Sequence, residues 1–466
     1  MLAKRSILRA AAAAATTAAG SLSISPGVAQ EGGLQLDFGI EHRLESTDNL
    51  ALDFPAEGRT SRASTALSFA LESATRTQQF SLSGSAALWL SEEPGTGSDT
   101  RIARPALRLT YGRQSANAAL SFDARYREEQ VEFLTPFDDG DEGEDGDGGD
   151  TDPGETTDIT GTGQRINYGA KARLELGTAA PLGLIFDAGL SEVDYSSTTD
   201  PDLVDSSRRN LAATTRLRIS PVTEGTVALS YATYEDSDDT ERETSTVNFG
   251  VKHALSPATR FEAALGYAVI DTEEPGLSSR EEGSTARLSI EYDMPDGSIE
   301  ANFASTIDQN GTQRTLSFGR VLERRSSKIS ARLGVSDTDD RGTDLIGALS
   351  WQQALPTGAI EARLARRVRS VGDDGYQLRT LVSLGYARDI NQVSAISFDL
   401  DYAWLDEIGA NSVTQGTATA TYSRAVNADW DMNFGAKYRL RDEDTVGKAT
   451  STGVFISLSR DFSYRP

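Results

Sequence analysis

The chain has 466 residues, and its 70 aspartates and glutamates against 45 lysines and arginines give a formal net charge of −25. This balance argues against nucleic-acid binding, which depends on basic side chains that neutralise phosphates. The absence of cysteine excludes disulfides and a lipid-anchored cysteine. A mean hydropathy of −0.39, with no apolar run of about 18 residues, excludes a helical membrane protein but not a barrel of alternating strands.

The amino terminus is typical of a cleaved secretory signal. Basic residues precede an alanine-rich apolar segment, and the small residues Gly27 and Ala29 predict cleavage after Ala29. We therefore expect residues 1–29 to be a signal peptide and residues 30–466 to form a single domain. A short alanine-rich helix is the alternative.

Alternation of apolar and polar residues begins soon after this segment. Leu34, Leu36, Phe38 and Ile40 share one face of the first stretch, and similar stretches continue to the carboxyl terminus. Counting them by their period of two predicts about 22 strands, although 18–24 would also fit the pattern.

The links between these strands alternate in length and charge. Short, turn-like links, such as GRQS from Gly112 and MPDG from Met294, alternate with longer acidic links, such as TYEDSDDTERE from Thr233. Bacterial outer-membrane barrels carry short periplasmic turns and longer extracellular loops. The sequence therefore predicts an all-β fold, a closed antiparallel transmembrane β-barrel with acidic extracellular loops.

Aromatic residues at the strand ends give a second indication of a membrane barrel. Tyrosine and tryptophan favour the membrane interface because their rings are apolar and their N–H or O–H groups bond to water. Those with outward parity predict two girdles, one at each end of the barrel. Near the long links are Tyr126, Tyr168, Tyr231, Tyr267, Tyr376, Tyr402, Trp404 and Tyr438, and near the short turns are Phe80, Tyr111, Phe261, Tyr292, Trp351, Tyr386, Tyr422, Trp430 and Phe462.

The last strand has the pattern of a closing strand. Val454, Ile456, Leu458 and Phe462 fall on one face, opposite small or polar residues. A sheet edge cannot stay unpaired in hydrocarbon, because each free backbone group costs several kcal/mol. We expect this strand to pair with the first strand and to be recognised by the outer-membrane assembly machinery.

Arginines are frequent on the inward faces of the predicted strands. They suggest a charged pore wall that favours anions. The alternative is that they form cross-strand ion pairs, which contribute roughly 0.2–1 kcal/mol each and stiffen the wall. Arg363, Arg367, Arg369 and Arg379 lie on two adjacent strands and are the candidates for a constriction. The further pore-lining candidates are Arg125, Arg173, Arg216 and Arg218.

One segment is strongly acidic, with 11 acidic residues and no basic one from Asp138 to Asp158. Such a segment cannot build an apolar core, so we expect residues 137–163 to form a disordered extracellular loop. Its spacing loosely resembles a calcium loop, with Asp141, Asp145, Asp147 and Asp152 as weak ligand candidates. Solvation, or loose divalent binding that bridges to lipopolysaccharide, is the simpler interpretation. No specific metal site and no cofactor are predicted.

An enzyme is not expected, and no catalytic residue is assigned. The chain has two histidines, His42 and His253, and both have outward parity near strand ends. Hydrolysis by a serine nucleophile needs a histidine within hydrogen-bond reach inside a site.

The signal, the alternating strands, the girdles and Phe462 together resemble Gram-negative outer-membrane β-barrel proteins. The stretch Glu45–Leu50, ESTDNL, is similar to one found after the first strand in porin-type barrels associated with exopolysaccharide systems. The chain departs from the common ending, because Ser463–Pro466 follow the terminal aromatic. It also differs from TonB-dependent receptors, since strands begin directly after the signal with no plug domain. The resemblance implies an outer-membrane location with membrane lipid and lipopolysaccharide as neighbours.

We expect a passive, porin-like channel for small hydrophilic solutes. The alternatives are an exopolysaccharide export conduit and a non-conducting structural or adhesive surface barrel. A polymer conduit would need aromatic side chains in the lumen, and Trp89 and Tyr234 are the clear inward aromatics near the rim. The charged walls therefore favour the channel.

Overall fold

The structure is a computed structural model. It describes residues 33–56, 58–94, 97–131, 163–198, 203–371, 375–407, 412–444 and 447–465. The expected signal peptide, the acidic segment and its four calcium-ligand candidates lie outside these ranges. Within them, no helix has the length and apolar character needed to cross a membrane.

The described chain forms 22 β-strands, as the sequence predicts. Their bounds are β1 Leu34–Thr47, β2 Thr60–Ala74, β3 Gln78–Glu93, β4 Gly97–Gln114, β5 Ala118–Gln130, β6 Gln164–Leu176, β7 Leu182–Ser196, β8 Ser206–Ser220, β9 Thr223–Asp236, β10 Glu241–Ser256, β11 Thr259–Glu274, β12 Leu277–Met294, β13 Gly297–Asp308, β14 Gly311–Arg324, β15 Ser327–Thr338, β16 Gly342–Leu355, β17 Gly358–Ser370, β18 Tyr376–Asn391, β19 Ser394–Glu407, β20 Val413–Ala425, β21 Trp430–Glu443 and β22 Gly447–Tyr464.

Each strand pairs antiparallel with its sequence neighbours, and β1 pairs with β22 to close the barrel. The closing ladder has 12 paired positions. The predicted closing residues Val454, Ile456, Leu458 and Phe462 lie in it, with Phe462 opposite Phe38. Closure removes the free sheet edge, as the membrane requires. Recognition of this strand by assembly machinery stays a prediction.

The outer surface carries large apolar side chains that are exposed to the surroundings of the barrel. Phe249, Leu265, Leu333 and Leu345 are 59–67% exposed. Polar residues alternate with them and face the lumen, so the apolar side is on the outside. This inversion relative to a water-soluble protein fits a wall that contacts lipid.

The two ends of the barrel differ. We call the end that carries the short links the turn rim and the opposite end the loop rim. At the loop rim, outward aromatics are 36–50% exposed, which confirms the predicted girdle for Tyr126, Tyr231, Tyr267, Tyr402, Trp404 and Tyr438. Short turns mark the periplasmic side of bacterial barrels.

Three of the ladders stop short of the loop rim while the strands themselves continue. The last pairs before the separations are Ala106–Arg127 between β4 and β5, Ala286–Ser305 between β12 and β13, and Gly347–Arg366 between β16 and β17. The loop-side part of the wall is thus divided into three leaves, β5–β12, β13–β16 and β17–β4 through the β1–β22 closure. Towards the turn rim the hydrogen-bonded ring is continuous.

The loop-side end of the β17–β18 hairpin folds into the lumen. Tyr376 donates its hydroxyl to Asp308 Oδ1 at 2.9 Å, and Asn310 Nδ2 lies 2.8 Å from Ser370 Oγ. Asp308 belongs to the inward face of the β13–β16 leaf, so the hairpin end packs against that inner wall. The sequence-based assignment of Tyr376 to the outward girdle is therefore wrong. Its side chain is fully buried because the sheet itself bends inward at this point.

The TDN stretch after β1 ties the closing ladder at the loop rim. The Thr452 amide donates to Asp48 Oδ1 at 2.6 Å, and the hydroxyls of Thr47 and Ser451 are 2.8 Å apart. Asn49, which is 3% exposed, donates to the Thr450 carbonyl at 3.2 Å. The motif that suggested a family resemblance thus has a structural role at the β1–β22 junction.

Candidate functional site

Three arginines surround one tryptophan on the inner wall near the loop rim. The guanidinium carbon of Arg62 on β2 lies 3.9 Å from the ring centroid of Trp89 on β3. Those of Arg104 and Arg101 on β4 lie 5.2 and 5.5 Å from it. These are cation–π distances, and Trp89 is only 4% exposed. We call Arg62, Trp89, Arg101 and Arg104 the arginine–tryptophan cluster.

A bulge in β4 brings Arg104 into this cluster. The β3–β4 register shifts between Ser85 and Ala87, and Arg104 has a φ of 52°. Left-handed backbone is uncommon for residues other than glycine, and a bulge accommodates it while re-aiming the side chain. The bulge adjoins the place where the β4–β5 ladder ends, so the same irregularity places Arg104 and separates two leaves.

Sequence reasoning missed Arg101 and Arg104 as inward residues of the site. The available signal was Pro105, which follows Arg104 inside a strand-like stretch. Proline lacks the backbone donor and is confined to edge strands, strand starts and bulges. A bulge would have been the informative interpretation of this proline, because it breaks the strict alternation used to assign faces.

A second group of cations lines the wall near the closing ladder. Arg43 on β1 stacks 3.7 Å from the ring centroid of Phe455 on β22 and bonds to Glu45 at 3.3 Å. Arg439 on β21 donates to the carbonyls of Asn49 and Leu50. This arginine is 8% exposed and connects the inner wall to the TDN stretch.

The predicted constriction residues fall into two settings. Arg367 and Arg379 are directly opposite each other on β17 and β18, and Arg369 is opposite Gln377. All three lie on the hairpin end that folds into the lumen, where Arg379 is fully buried and Arg369 is 9% exposed. Arg363 lies farther towards the turn rim and pairs with Glu361 at 2.6 Å.

Of the remaining pore-lining candidates, Arg173, Arg216 and Arg218 lie in the turn-side half of the barrel, where most charges are paired, and Arg125 lies near the middle of β5. Arg173 bonds to Glu175 at 2.9 Å and Asp187 at 3.3 Å. Arg216 and Arg218 both donate to the Thr178 carbonyl, which ties them to the β6–β7 turn. Arg125 is opposite Arg108 in the β4–β5 ladder, and Arg108 bonds to Asp123.

Other inward ion pairs continue this arrangement around the turn-side lumen. They are Lys252–Glu262 at 3.2 Å, Arg260–Glu291 at 3.0 Å and Arg332–Glu300 at 2.6 Å. Partly exposed pairs of this kind contribute roughly 0–1 kcal/mol each. The turn-side wall is therefore largely charge-balanced.

In the described ranges, histidine, aspartate and glutamate form no group of three that could hold a metal ion. His42 and His253 each have Nδ1 2.9 Å from a threonine hydroxyl on the adjacent strand, Thr65 and Thr223 respectively. Both histidines lie on the outward face, away from the lumen. The absence of enzymatic activity stays a prediction.

The whole barrel can be compared with solved structures. The FrpB iron transporter from Neisseria meningitidis (F5-1 variant) superposes with a TM-score of 0.59 and 9% identity, over 94% of this chain and 83% of that chain. The siderophore receptor PirA from Pseudomonas aeruginosa gives 0.51 and 12%, over 92% and 80%. A mutant ferric enterobactin receptor from Pseudomonas aeruginosa, in complex with enterobactin, gives 0.55 and 8%, over 93% and 82%. No protein-family model and no curated protein matches the sequence.

The protein is an outer-membrane β-barrel. The closed 22-stranded ring, the apolar outer belt and these neighbours agree on that fold and on its place in the outer membrane of a Gram-negative cell. Identities of 8–12% relate the proteins by fold alone.

The expectation of a porin-like passive channel is wrong for this outer-membrane barrel. The solved barrels that share its fold are described as an iron transporter and as siderophore receptors, not as porins. At the loop-side end of the lumen, two inward side chains are withdrawn from water. Here Arg379 is fully buried and Leu405 is 1% exposed. The sequence-based distinction from receptors rested on the residues before the first strand. It does not apply to the fold of the barrel.

Proposed function

We propose that this barrel is an outer-membrane receptor that binds a small anionic ligand in the loop-side lumen and takes it up. The chemical class that fits is a metal chelate with carboxylate or phenolate oxygens, as in ferric siderophore complexes. The main observation behind this proposal is the arginine–tryptophan cluster, which places three guanidinium groups around one indole. The fold neighbours described as siderophore receptors support this ligand class.

Charge favours an anion at this position. The chain as a whole has a net charge of −25, so a concentration of arginines on one part of the inner wall runs against its composition. Guanidinium groups bind carboxylates through two parallel hydrogen bonds and donate single ones to phenolate oxygens, and such charge-assisted bonds are about twice as strong as neutral ones.

Access to the cluster depends on the division of the loop-side wall. Arg62, Trp89, Arg101 and Arg104 lie on the leaf that ends where the β4–β5 ladder stops. No ladder hydrogen bonds hold β4 to β5 above that point. Movement of this leaf against its neighbour would open a path to the cluster without breaking the continuous ring below it.

The proposal can be tested by ligand binding to the purified protein in detergent. The probes are ferric enterobactin, which is anionic, and a neutral ferric trihydroxamate of similar size, measured by calorimetry and by tryptophan quenching. We expect the anionic complex to bind more tightly by about tenfold or more. The double variant Arg62→Gln, Arg101→Gln should lose about a hundredfold or more in affinity, because each of the two lost hydrogen bonds to a charged group is worth about 1.5–3 kcal/mol.

The matched control is Arg113→Gln. Arg113 is an exposed arginine on the same strand β4, but it lies on the outward face at the turn rim. Its replacement should leave binding unchanged. Equal affinity for the anionic and the neutral complex, or full binding by the double variant, would contradict the proposal.

A further inference from the structure

The outer wall has a trough beside the closing ladder. It has a volume of about 1220 Å³, is open to the surroundings of the barrel, and runs across eight neighbouring strands from β19 through β22 and β1 to β4. Most of its lining belongs to outward-facing residues, among them Ile396, Phe398, Phe434 and Ile456. A barrel wall is normally convex towards lipid, so a concave part offers room for a bound acyl chain.

The trough follows one line of paired residues. Ile396 pairs with Tyr422, Tyr422 with Phe434, and Phe434 with Ile456. Beside this line the small residues Ala420 and Ala436 pair with each other, and their short side chains leave space in the trough. Strands of a barrel are tilted, so a line perpendicular to them crosses the membrane obliquely. The trough therefore descends from the loop side at β4 to the turn side at β19.

Outward-facing arginines flank its turn-side end. Arg388 on β18 pairs with Ile396 at the end of the trough. Arg424 on β20 lies two residues beyond Tyr422 towards the turn rim, and both arginines are exposed. Within the described ranges, neither takes part in an ion pair.

Arg460 on β22 extends this row. Arg424 pairs with Met432 on β21, and Met432 pairs with Leu458 on β22. Arg460 lies two residues from Leu458 towards the turn rim. A shift of two residues for every two strands compensates the tilt, so the three arginines stay at one depth. Arg460 is 4.4 Å from the ring centroid of Phe462 and 3.6 Å from Asp429 Oδ2.

The depth of the row is that of the membrane interface. Tyr386 and Tyr422, the turn-side girdle aromatics, lie two residues from Arg388 and Arg424 along their strands. Such aromatics lie at the headgroup level, with hydrocarbon beyond them. The arrangement thus offers guanidinium groups at phosphate depth and an apolar trough that starts there and enters the hydrocarbon.

We propose that the trough and Arg388 and Arg424 form a binding site for an anionic glycerophospholipid of the leaflet at the turn rim. The phosphate lies on the two guanidinium groups, and one acyl chain lies in the trough. A second copy of the chain is a poorer occupant, because a two-fold contact here would bring like-charged arginine rows together. The site is independent of the lumen.

The test is native mass spectrometry of the purified barrel with added phosphatidylglycerol or phosphatidylcholine carrying the same acyl chains. The wild-type protein should retain phosphatidylglycerol preferentially, by about fivefold for each arginine engaged. Arg388→Gln combined with Arg424→Gln should abolish the preference. Ala436→Phe, which fills the trough, should lower retention of both lipids.

Two control variants share the chemistry but lie elsewhere on the outer wall. Arg113→Gln removes another exposed outward arginine at the turn rim, and Ala286→Phe enlarges an outward alanine on β12. Heat-modifiable migration in electrophoresis reports that each variant is folded. Equal retention of the two lipids by the wild type would overturn the proposal, as would equal losses in the controls. Displacement of phosphatidylglycerol by lipopolysaccharide would overturn it too.

Discussion

The carboxylate of Glu300 on β13 reaches across β14 to the guanidinium of Arg332 on β15. Its Oε1 lies 2.8 Å from Nε and 2.6 Å from a terminal nitrogen of the arginine. Gly319 on the intervening strand makes this possible, because a Cβ there would lie 2.6 Å from Glu300 Cγ. A glycine in the inner wall thus serves as a passage for an ion pair between non-adjacent strands.

Gly319→Ala should destabilise the barrel by about 1–3 kcal/mol, the usual cost of overpacking a well-filled site. The added methyl displaces Glu300 and breaks its contact with Arg332. In a Glu300→Ala background the same substitution should cost much less, since the displaced side chain is gone. Urea unfolding of the four variants in detergent measures the coupling. Gly112→Ala is the control, because nothing lies within 4 Å of a Cβ at that position. An equal cost in both backgrounds would show that Gly319 is not needed to make room for the Glu300–Arg332 ion pair.

Tyr376→Phe should loosen the β17–β18 hairpin end. The substitution removes the hydroxyl that donates to Asp308, at a cost of about 1–2 kcal/mol. The effect should be local, so amide hydrogen exchange at Val371, whose N–H bonds to the Gly375 carbonyl, should accelerate roughly tenfold. Tyr386→Phe alters the turn-rim girdle on the same strand and should leave this amide unchanged. Unaltered exchange in Tyr376→Phe would show that the hydrogen bond does not hold the hairpin.

Asn49→Ala should open the loop-side end of the closing ladder. The side chain is buried and bonds to the Asp53 amide as well as to the carbonyls of Asp53 and Thr450. Its loss leaves these groups without their partner, which costs about 1–3 kcal/mol. Hydrogen exchange should accelerate at the Thr452 amide.

The lower part of the same ladder provides the comparison for Asn49→Ala. Exchange at Ser459, which pairs with Glu41 nearer the turn rim, should stay slow. Asp429→Ala removes an exposed carboxylate at the turn rim and should change neither position. Uniform acceleration along β22 in Asn49→Ala would mean that the whole ladder depends on this residue.

Proteoliposomes that contain the barrel should not swell in isosmotic arabinose faster than protein-free liposomes. The physical reason is the β17–β18 hairpin end that folds into the loop-side lumen, where Arg379 and Tyr376 are buried. A general porin reconstituted in parallel shows that the assay responds. Sustained swelling with the intact protein would contradict this expectation.

Alternation predicted the strands, their number and the closing partner of β22, because side chains of period two report directly which face is apolar. It also placed Trp89 and Tyr234 on the inner wall, where they are 4% and 7% exposed. The assignment of Tyr376 failed for a different reason. Parity identifies a face of the sheet, whereas the path of the sheet depends on contacts such as Tyr376–Asp308 between distant strands.

The site was harder to predict than the wall. The sequence marked Arg173, Arg216 and Arg363 as candidates, but it could not show that carboxylates or carbonyls from neighbouring turns already engage them. Arg173–Glu175 and Arg363–Glu361 each join residues two apart on one strand, whereas the contact of Arg216 with the β6–β7 turn depends on strand register. Arg104 was missed because one bulged residue shifts the faces. The porin expectation failed because alternation and strand number do not distinguish a porin from transporters and receptors with the same barrel fold.

The ladders that end at Ala106–Arg127, Ala286–Ser305 and Gly347–Arg366 give the molecule two mechanical regimes. Below them the wall is a closed barrel whose circumference is fixed by the number of strands and their shear. Above them the three leaves are not hydrogen-bonded to one another, so each is held by the continuous ring below it. Changes of loop length or sequence in one leaf therefore leave the circumference of the closed barrel unaltered.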